Sequence, residues 1–106
     1  MNRRDETMTI EKKLDGSVLD IALQGRLDTT TSPQLENELK TALDGVTELI
    51  FDLAGLEYIS SAGLRVLLSA QKTMNKQGSM TIRNVNSDVM DVFDVTGFVD
   101  ILNIES

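Results

Sequence analysis

The chain has 106 residues and a net charge of −7, and its apolar side chains are almost all aliphatic, since aromatic residues make up only 4%. That length suits one domain with an aliphatic core. The chain contains neither cysteine nor histidine, which excludes a disulfide framework, a zinc site of the common type and a serine–histidine hydrolase formed by this chain alone. The acidic balance argues against binding to nucleic acid or to an anionic membrane surface.

The N-terminal part of the chain predicts a tail and a hairpin. Residues 1–7 are polar, and we expect them to be a disordered tail ahead of a single domain over residues 8–106. Neither a signal peptide nor an apolar run long enough to span a membrane is present in the sequence, so we expect a cytoplasmic protein. The apolar residues of Met8–Leu14 all fall at even-numbered positions, and in Val18–Gln24 apolar residues occupy every second position from Leu19 to Leu23. With the turn-forming pair Asp15-Gly16 between them, these segments predict two antiparallel strands.

A first helix follows the hairpin. Threonines and a serine precede Pro33, which predicts a helix capped by Thr31 or Ser32 with the proline in its first turn. Apolar residues then recur at helical spacing, and Asp44-Gly45 ends the helix.

The most informative stretch runs from a buried strand into a second helix. Leu49–Leu53 is a short apolar run typical of a strand buried on both faces, and a loop carrying Gly55 is predicted after it. The pair Ser60-Ser61 then begins a helix that ends near Gln77-Gly78. At a helix N-terminus, unpaired backbone N–H groups and the helix dipole both favour a phosphate.

The remaining segments complete the predicted order of elements. The pattern predicts a short strand over Met80–Val85, a third helix capped by Ser87 and closed by Gly97, and a last strand over Ile101–Ile104. The order β, β, α, β, α, β, α, β predicts an α/β fold: a mostly parallel sheet of four to five strands, with an antiparallel N-terminal hairpin strand and about three helices.

Ser60 and Ser61 are the first candidates for a functional site. Capping is the commonest role of a serine at a helix start, and it needs only one serine. The second serine and Gly63 are not explained by capping, because a glycine there lowers helix propensity by about 1 kcal/mol and suggests that something approaches the backbone closely. Arg65, one turn after Ser61, is placed either to pair with a phosphate there or simply to be solvated.

The carboxylates are weaker candidates. Asp52, expected near the C-terminal end of a parallel strand, is either a phospho-acceptor of the response-regulator type or a local cap for backbone N–H groups. The hairpin start and the lack of an acidic pair after the first strand favour the local cap. Asp88, Asp91 and Asp94 recur every third residue on the third helix, which favours a solvated face over a metal site.

The sequence contains no arrangement of residues that builds an active site. A nucleophile paired with a base, a glycine-rich phosphate loop and a dinucleotide fingerprint are all missing. We therefore expect a binding protein that is not an enzyme and that needs neither a cofactor nor a metal.

Three segments resemble the motifs of a STAS domain of the bacterial anti-sigma-factor antagonist type. They follow one another in the order Gly25–Asp28 with Thr31, Tyr58–Leu64 and Phe93–Phe98. The similarity extends from about Met8 to Ile104, and its most specific element is the serine–x–glycine–leucine helix start. The resemblance implies the STAS fold.

The resemblance also implies a partner-switching regulator of transcription. In such families an anti-sigma factor that is also a serine kinase of the GHKL type binds the unphosphorylated antagonist, and it phosphorylates a serine at the start of the second helix with its own bound ATP. A PP2C-type phosphatase resets the switch. Alignment on Gly63 places the phosphorylated serine at Ser61, with Ser60 as the second choice. The partner-binding residues that the resemblance suggests are Asp28, Thr31, Ser60, Ser61, Gly63 and Arg65.

The sequence departs from the family pattern in two places. Ser60 stands where an acidic residue often precedes the phosphorylated serine, and the C-terminal helix often seen in the family has no counterpart before Ser106. Two other interpretations remain open. One is a STAS subunit of another assembly, such as a stressosome or a lipid-trafficking complex, and the other is a regulatory module that binds a small ligand.

Overall fold

The computed structural model describes residues 8–105, so the predicted tail at residues 1–7 lies outside the described residues. Within that range no helix is both long enough and apolar enough to cross a lipid bilayer. The elements follow one another as β1 (Met8–Asp15), β2 (Val18–Leu27), α1 (Ser32–Ala42), β3 (Glu48–Ile59), α2 (Ser61–Gln77), β4 (Ser79–Arg83), α3 (Ser87–Thr96) and a 3-10 helix (Phe98–Asp100).

The strands form one mixed sheet in the order β1-β2-β3-β4. β1 and β2 pair antiparallel across the turn Gly16-Ser17, whereas β2 with β3 and β3 with β4 pair in parallel. Gly16 has a φ of 64°, a left-handed conformation that tight hairpin turns require and that glycine adopts without a steric penalty. The predicted α/β class, mostly parallel sheet and antiparallel hairpin strand are confirmed.

One face of the sheet carries the hydrophobic core. Along β2 the odd-numbered residues Leu19, Ile21 and Leu23 are buried, while Asp20 and Ala22 are half-buried on the opposite face. Buried apolar side chains from α1, α2 and α3 join the same cluster as those odd-numbered residues, because each helix presents an apolar stripe at helical spacing. The helices therefore cover this face, and the opposite face is left more open.

β3 is longer than predicted. The strand runs over Glu48–Ile59 and includes Gly55, so the prediction of a loop at Gly55 is wrong. Its pairing with β2 changes register twice between Ala22 and Arg26. A Cβ at Gly55 would lie 2.7 Å from Cγ of Gln24. The glycine therefore permits close strand approach at an irregularity and does not end the strand.

The C-terminal segment also differs from the prediction. Ile101–Ile104 does not form a full strand, because only Ile104 makes a bridge to β4, parallel to Ile82. The N–H of Glu105 donates to the Ile82 carbonyl at 2.7 Å. The predicted fifth strand is thus reduced to a single residue on the open edge of β4.

The cap of α3 lies one residue earlier than predicted. Asn86 is the N-cap, and its Oδ1 accepts the N–H of Val89 at 2.8 Å, whereas Ser87 is the first helical residue. Asparagine and serine cap helices about equally well, so local preference does not decide between neighbours. Gly97 closes the helix with a φ of 80°, as predicted.

Candidate functional site

The candidate serines lie where β2 and β3 end and α1 and α2 begin. Leu27, the last residue of β2, is the register partner of Ile59, the last residue of β3. The backbone N–H of Ser60 donates to the Leu27 carbonyl at 2.9 Å. The first turn of α2 is therefore fixed directly to the end of β2.

Ser60 and Ser61 have different structural roles. Ser60 is the N-cap of α2: its Oγ accepts the N–H of Gly63 at 3.4 Å, and its carbonyl accepts the N–H of Leu64 at 2.9 Å. Ser61 is the first residue of the helix and is exposed. Among the residues that the structure describes, none hydrogen-bonds to its hydroxyl. Capping accounts for Ser60 and leaves the Ser61 hydroxyl accessible at the surface.

Gly63 is explained by contact between α2 and the sheet. A Cβ at this position would lie 2.8 Å from Cγ of Leu27, 2.9 Å from the Leu27 carbonyl oxygen and 2.9 Å from Cγ1 of Ile59. Separations this short are almost never seen for a real Cβ. The close approach that the sequence predicts at Gly63 is therefore made by the ends of β2 and β3.

Asp28 and Thr31 close the turn between β2 and α1. Oδ1 of Asp28 accepts the N–H groups of Thr30 and Thr31 at 3.0 and 3.1 Å. The Thr31 hydroxyl accepts the Asp28 N–H at 2.9 Å and donates to the Arg26 carbonyl at 2.7 Å. Because Thr31 is only 4% exposed, it braces the turn from inside and does not reach the surface.

The Asp28 carboxylate is held in its charged form. Burial raises its pKa, but the two threonine N–H groups, the threonine hydroxyl and the Arg26 guanidinium together lower it by more, so the pKa lies below its ordinary value of 3.8. Nε of Arg26 lies 3.6 Å from Oδ2 of Asp28, whose side chain is 20% exposed. At neutral pH this turn therefore carries an ionised carboxylate, paired with Arg26, beside the helix starts.

Arg26 and Tyr58 form a surface feature that sequence reasoning missed. The two residues are register partners on β2 and β3, and the guanidinium carbon lies 4.4 Å from the centre of the tyrosine ring, a cation–π contact. Tyr58 is 41% exposed. The available signal is that the chain's single tyrosine lies two residues before Ser60.

Arg65 is exposed on the first turns of α2. With Ala62 and Val66 it lines a shallow groove of about 280 Å³ against the start of α1. The structure thus brings Ser60, Ser61 and Arg65 to one helix start with Asp28 on the adjoining turn, and it buries Thr31 and Gly63 beneath them.

Asp52 does not lie where it was expected. It is within β3, well before the strand ends at Ile59, so the prediction of a strand-end aspartate is wrong. Its Oδ1 accepts the N–H of Ala54 at 3.0 Å and Nδ2 of Asn84 at 3.1 Å. These contacts support the local cap.

The acidic residues of α3 do not converge. Asp88, Asp91 and Asp94 are all exposed, as a solvated face predicts. Over residues 8–105 there is no group of acidic side chains with the geometry to hold a metal ion.

Comparison with known proteins identifies the family. Residues 9–106 match the model of the STAS domain. The chain belongs to the STAS family. BtrV of Bordetella bronchiseptica, which is named as an anti-sigma factor antagonist, is 38% identical over 91 residues that cover 84% of this STAS chain and 78% of BtrV.

Solved structures agree with this assignment at the level of the fold. An anti-sigma factor antagonist from Mycobacterium paratuberculosis matches the STAS chain with a TM-score of 0.84 and 20% identity, over 98% of this chain and 89% of that one. The Bacillus cell fate determinant SpoIIAA in its phosphorylated form gives a TM-score of 0.72 and 20% identity, over 92% of each chain. The STAS fold is therefore shown by sequence and by structure.

The packing at Gly63 predicts that Gly63→Ala destabilises the STAS domain. Overpacking a tight contact typically costs about 1–3 kcal/mol, and the Leu27 carbonyl is held in place by the Ser60 N–H at 2.9 Å. The gain in helix propensity, about 1 kcal/mol, offsets only part of that cost. We expect urea unfolding to show a lower free energy of unfolding for Gly63→Ala. Ser61→Ala, at the neighbouring exposed position, is the control and should change it by less than about 0.5 kcal/mol. A Gly63→Ala variant as stable as wild type would contradict this explanation of the glycine.

The charged state of Asp28 predicts a pH-dependent contribution to stability. Because its pKa is lower in the folded than in the unfolded chain, the stabilisation is fully present above pH 3.8 and is lost as the pH falls through the folded value. Asp28→Asn keeps an acceptor oxygen but removes the charge, so we expect it to lose about 1 kcal/mol at pH 7. The difference from wild type should narrow below pH 3.8.

The measurement is denaturant unfolding of both proteins between neutral and acidic pH. Asp91→Asn, on the exposed face of α3, controls for loss of one negative charge and should change the unfolding free energy by no more than about 0.5 kcal/mol. A constant gap between wild type and Asp28→Asn at every pH would show that the Asp28 charge does not stabilise the turn.

Proposed function

We propose that this STAS chain is an anti-sigma factor antagonist that works by partner switching in the cytoplasm. It binds an anti-sigma serine kinase of the GHKL type while Ser61 is unmodified, and it is released when that kinase has transferred the γ-phosphate of ATP to the Ser61 hydroxyl. A PP2C-type phosphatase restores the first state. The observation that carries the proposal is the exposed Ser61 hydroxyl at the first residue of α2. The names of the relatives support the same function.

The fold is well suited to carry a phosphate at Ser61. Phosphorylation adds a charge of about −1.5 to −2 and three acceptor oxygens. At Ser61 these lie beside the unpaired backbone N–H groups of a long helix, where anions are favoured. Two contacts hold this helix start in place: the hydrogen bond from Ser60 to Leu27 and the packing of Gly63 against the strand ends. Neither contact involves the Ser61 hydroxyl. The modified domain therefore keeps its structure.

A complex docked over Ser61 responds differently. Groups that meet a neutral hydroxyl face a desolvated phosphate after modification, and a buried charge without a partner is costly. If the coupling is about 3 kcal/mol, binding weakens more than a hundredfold. The same chemical change is thus mild for the fold and severe for the complex.

The neighbouring residues divide into contact and positioning roles in this proposal. Asp28, Ser60 and Arg65 lie at or near the surface around Ser61 and offer the kinase charged and polar contacts. Thr31 and Gly63 are buried, which supports a role in positioning the turn and the helix start and not in touching the partner.

The test is a pull-down from an extract of the native cell with wild type, Ser61→Ala and Ser61→Asp as bait. We expect wild type and Ser61→Ala to retain a GHKL-type kinase. We expect Ser61→Asp to bind it at least about a hundredfold more weakly, because its negative charge is also buried without a partner in the complex. Calorimetry with the captured kinase then measures each affinity. Incubation with ATP and mass spectrometry should place one phosphate on Ser61 of wild type and none on Ser61→Ala.

Ser87→Asp is the matched control. Ser87 is also an exposed serine at the first residue of a helix that follows a side-chain cap, so the substitution introduces the same charge in the same local geometry at another place. It should leave kinase binding unchanged. If Ser61→Asp binds as tightly as Ser87→Asp, the charge at Ser61 is not the switch.

A further inference from the structure

Within the described residues, the edge strand β1 pairs with β2 alone, and no strand covers its other side. Gln34 covers one end of this edge, since its Nε2 donates to the Met8 carbonyl at 3.4 Å. Beyond it, the outer side of Ile10, Lys12 and Leu14 receives no hydrogen bond from the rest of the described chain. An edge of this kind is a template for another strand.

The hairpin turn determines which residues face this open side. Asp15 and Val18 flank a two-residue loop and form a hydrogen-bonded pair. Hydrogen-bonded and non-hydrogen-bonded pairs alternate along an antiparallel ladder. Odd-numbered residues of β1 therefore bond to β2, and the even-numbered residues direct their N–H and C=O groups outward.

Charges on β1 select one register for pairing with a second copy of the same strand. An antiparallel pair about a two-fold axis must place even-numbered residues opposite even-numbered residues. With Glu11 on the axis, two glutamates face each other, and with Lys13 on the axis, two lysines do. With Lys12 on the axis, two lysines again face each other, but Glu11 now lies opposite the partner's Lys13, and this attractive pair occurs twice by symmetry.

We propose that β1 is a homodimer interface in which two copies pair antiparallel about Lys12 and form one continuous sheet. Glu11 and the partner's Lys13 then occupy non-hydrogen-bonded positions, where opposite side chains approach most closely and opposite charges stabilise the pair. The second copy is favoured over an unrelated strand because β1 is complementary in charge to itself in this register. The inference does not depend on the proposed phosphorylation.

The apolar side chains on the core-facing side of β1 support the same register. In this register half-buried Ile10 lies opposite the partner's Leu14. Leu14 is 62% exposed in the single chain, and the pairing buries part of this large apolar side chain. The two lysines that meet at the axis are each paired with Glu38 of α1 in their own chain. Their repulsion is therefore reduced.

The test is sedimentation equilibrium of the full chain at concentrations from about 1 µM to about 1 mM. We expect wild type to approach twice the mass of the 11.7 kDa chain. Glu11→Lys and Lys13→Glu each turn two attractive cross-strand pairs into repulsive ones, so each should weaken dimerisation about tenfold or more. The double variant Glu11→Lys/Lys13→Glu restores opposite charges and should recover wild-type dimerisation.

A backbone variant tests the ladder itself. Lys12→Pro removes an outward N–H at an edge position where proline is tolerated, and it should abolish the dimer. Lys12→Ala loses the same contact to Glu38 but keeps the N–H, and it should remain dimeric. Circular dichroism checks that each variant is folded. A wild-type chain that stays monomeric at the highest concentration, or a dimer that survives Lys12→Pro, would overturn the proposal, as would a double charge swap that fails to restore what the single changes remove.

Discussion

The structure around the candidate site depends on one close contact between the first turn of α2 and the end of β2. The Ser60 N–H donates to the Leu27 carbonyl at 2.9 Å, and Gly63 approaches the same residue so closely that no Cβ fits between them. The helix is thereby fixed in position and in rotation about its own axis. Ser60 caps the helix and Gly63 packs against the strand ends, so the Ser61 side chain of the same turn points to the solvent. The exposure of its hydroxyl therefore follows from the packing.

The turn before α1 is fixed by a different kind of bonding at the same sheet edge. Here a buried threonine hydroxyl ties two backbone groups together, and the Asp28 carboxylate accepts two N–H groups. Such a carboxylate is costly to move, because its hydrogen bonds stabilise the charged form. The two helix starts therefore form a rigid platform, with the Asp28 carboxylate and its partner Arg26 on one side and the Ser61 hydroxyl on the other. A rigid platform loses little conformational entropy when a partner docks, which agrees with the proposal that a single modification changes its affinity.

Local sequence patterns predict most of the helices and strands of this fold. They do not predict which residues distant in sequence come into contact. Ser60 was recognised as a possible cap because capping depends on the next three residues alone. The sequence predicts a loop at Gly55, whereas the role of this glycine comes from its contact with Gln24 on a neighbouring strand, and no local pattern encodes which strands are neighbours. The contact between Arg26 and Tyr58 is unpredictable for the same reason, since their pairing comes after two register changes that no periodicity in either strand reveals.

The net charge of −7 has opposite effects on binding at the platform and on self-association at the edge strand β1. It favours binding of a basic partner at the platform formed by the two helix starts, and it opposes association with a second copy of an equally acidic chain. At physiological ionic strength the Debye length is about 8 Å, so repulsion between distant charges is screened while cross-strand pairs about 5 Å apart keep most of their attraction. Self-association through β1 therefore depends on the sign pattern of Glu11 and Lys13 and not on the total charge. The phosphorylation proposed at Ser61 would place its charge past the end of β3, outside that short range, and would leave the pairing of β1 unaffected.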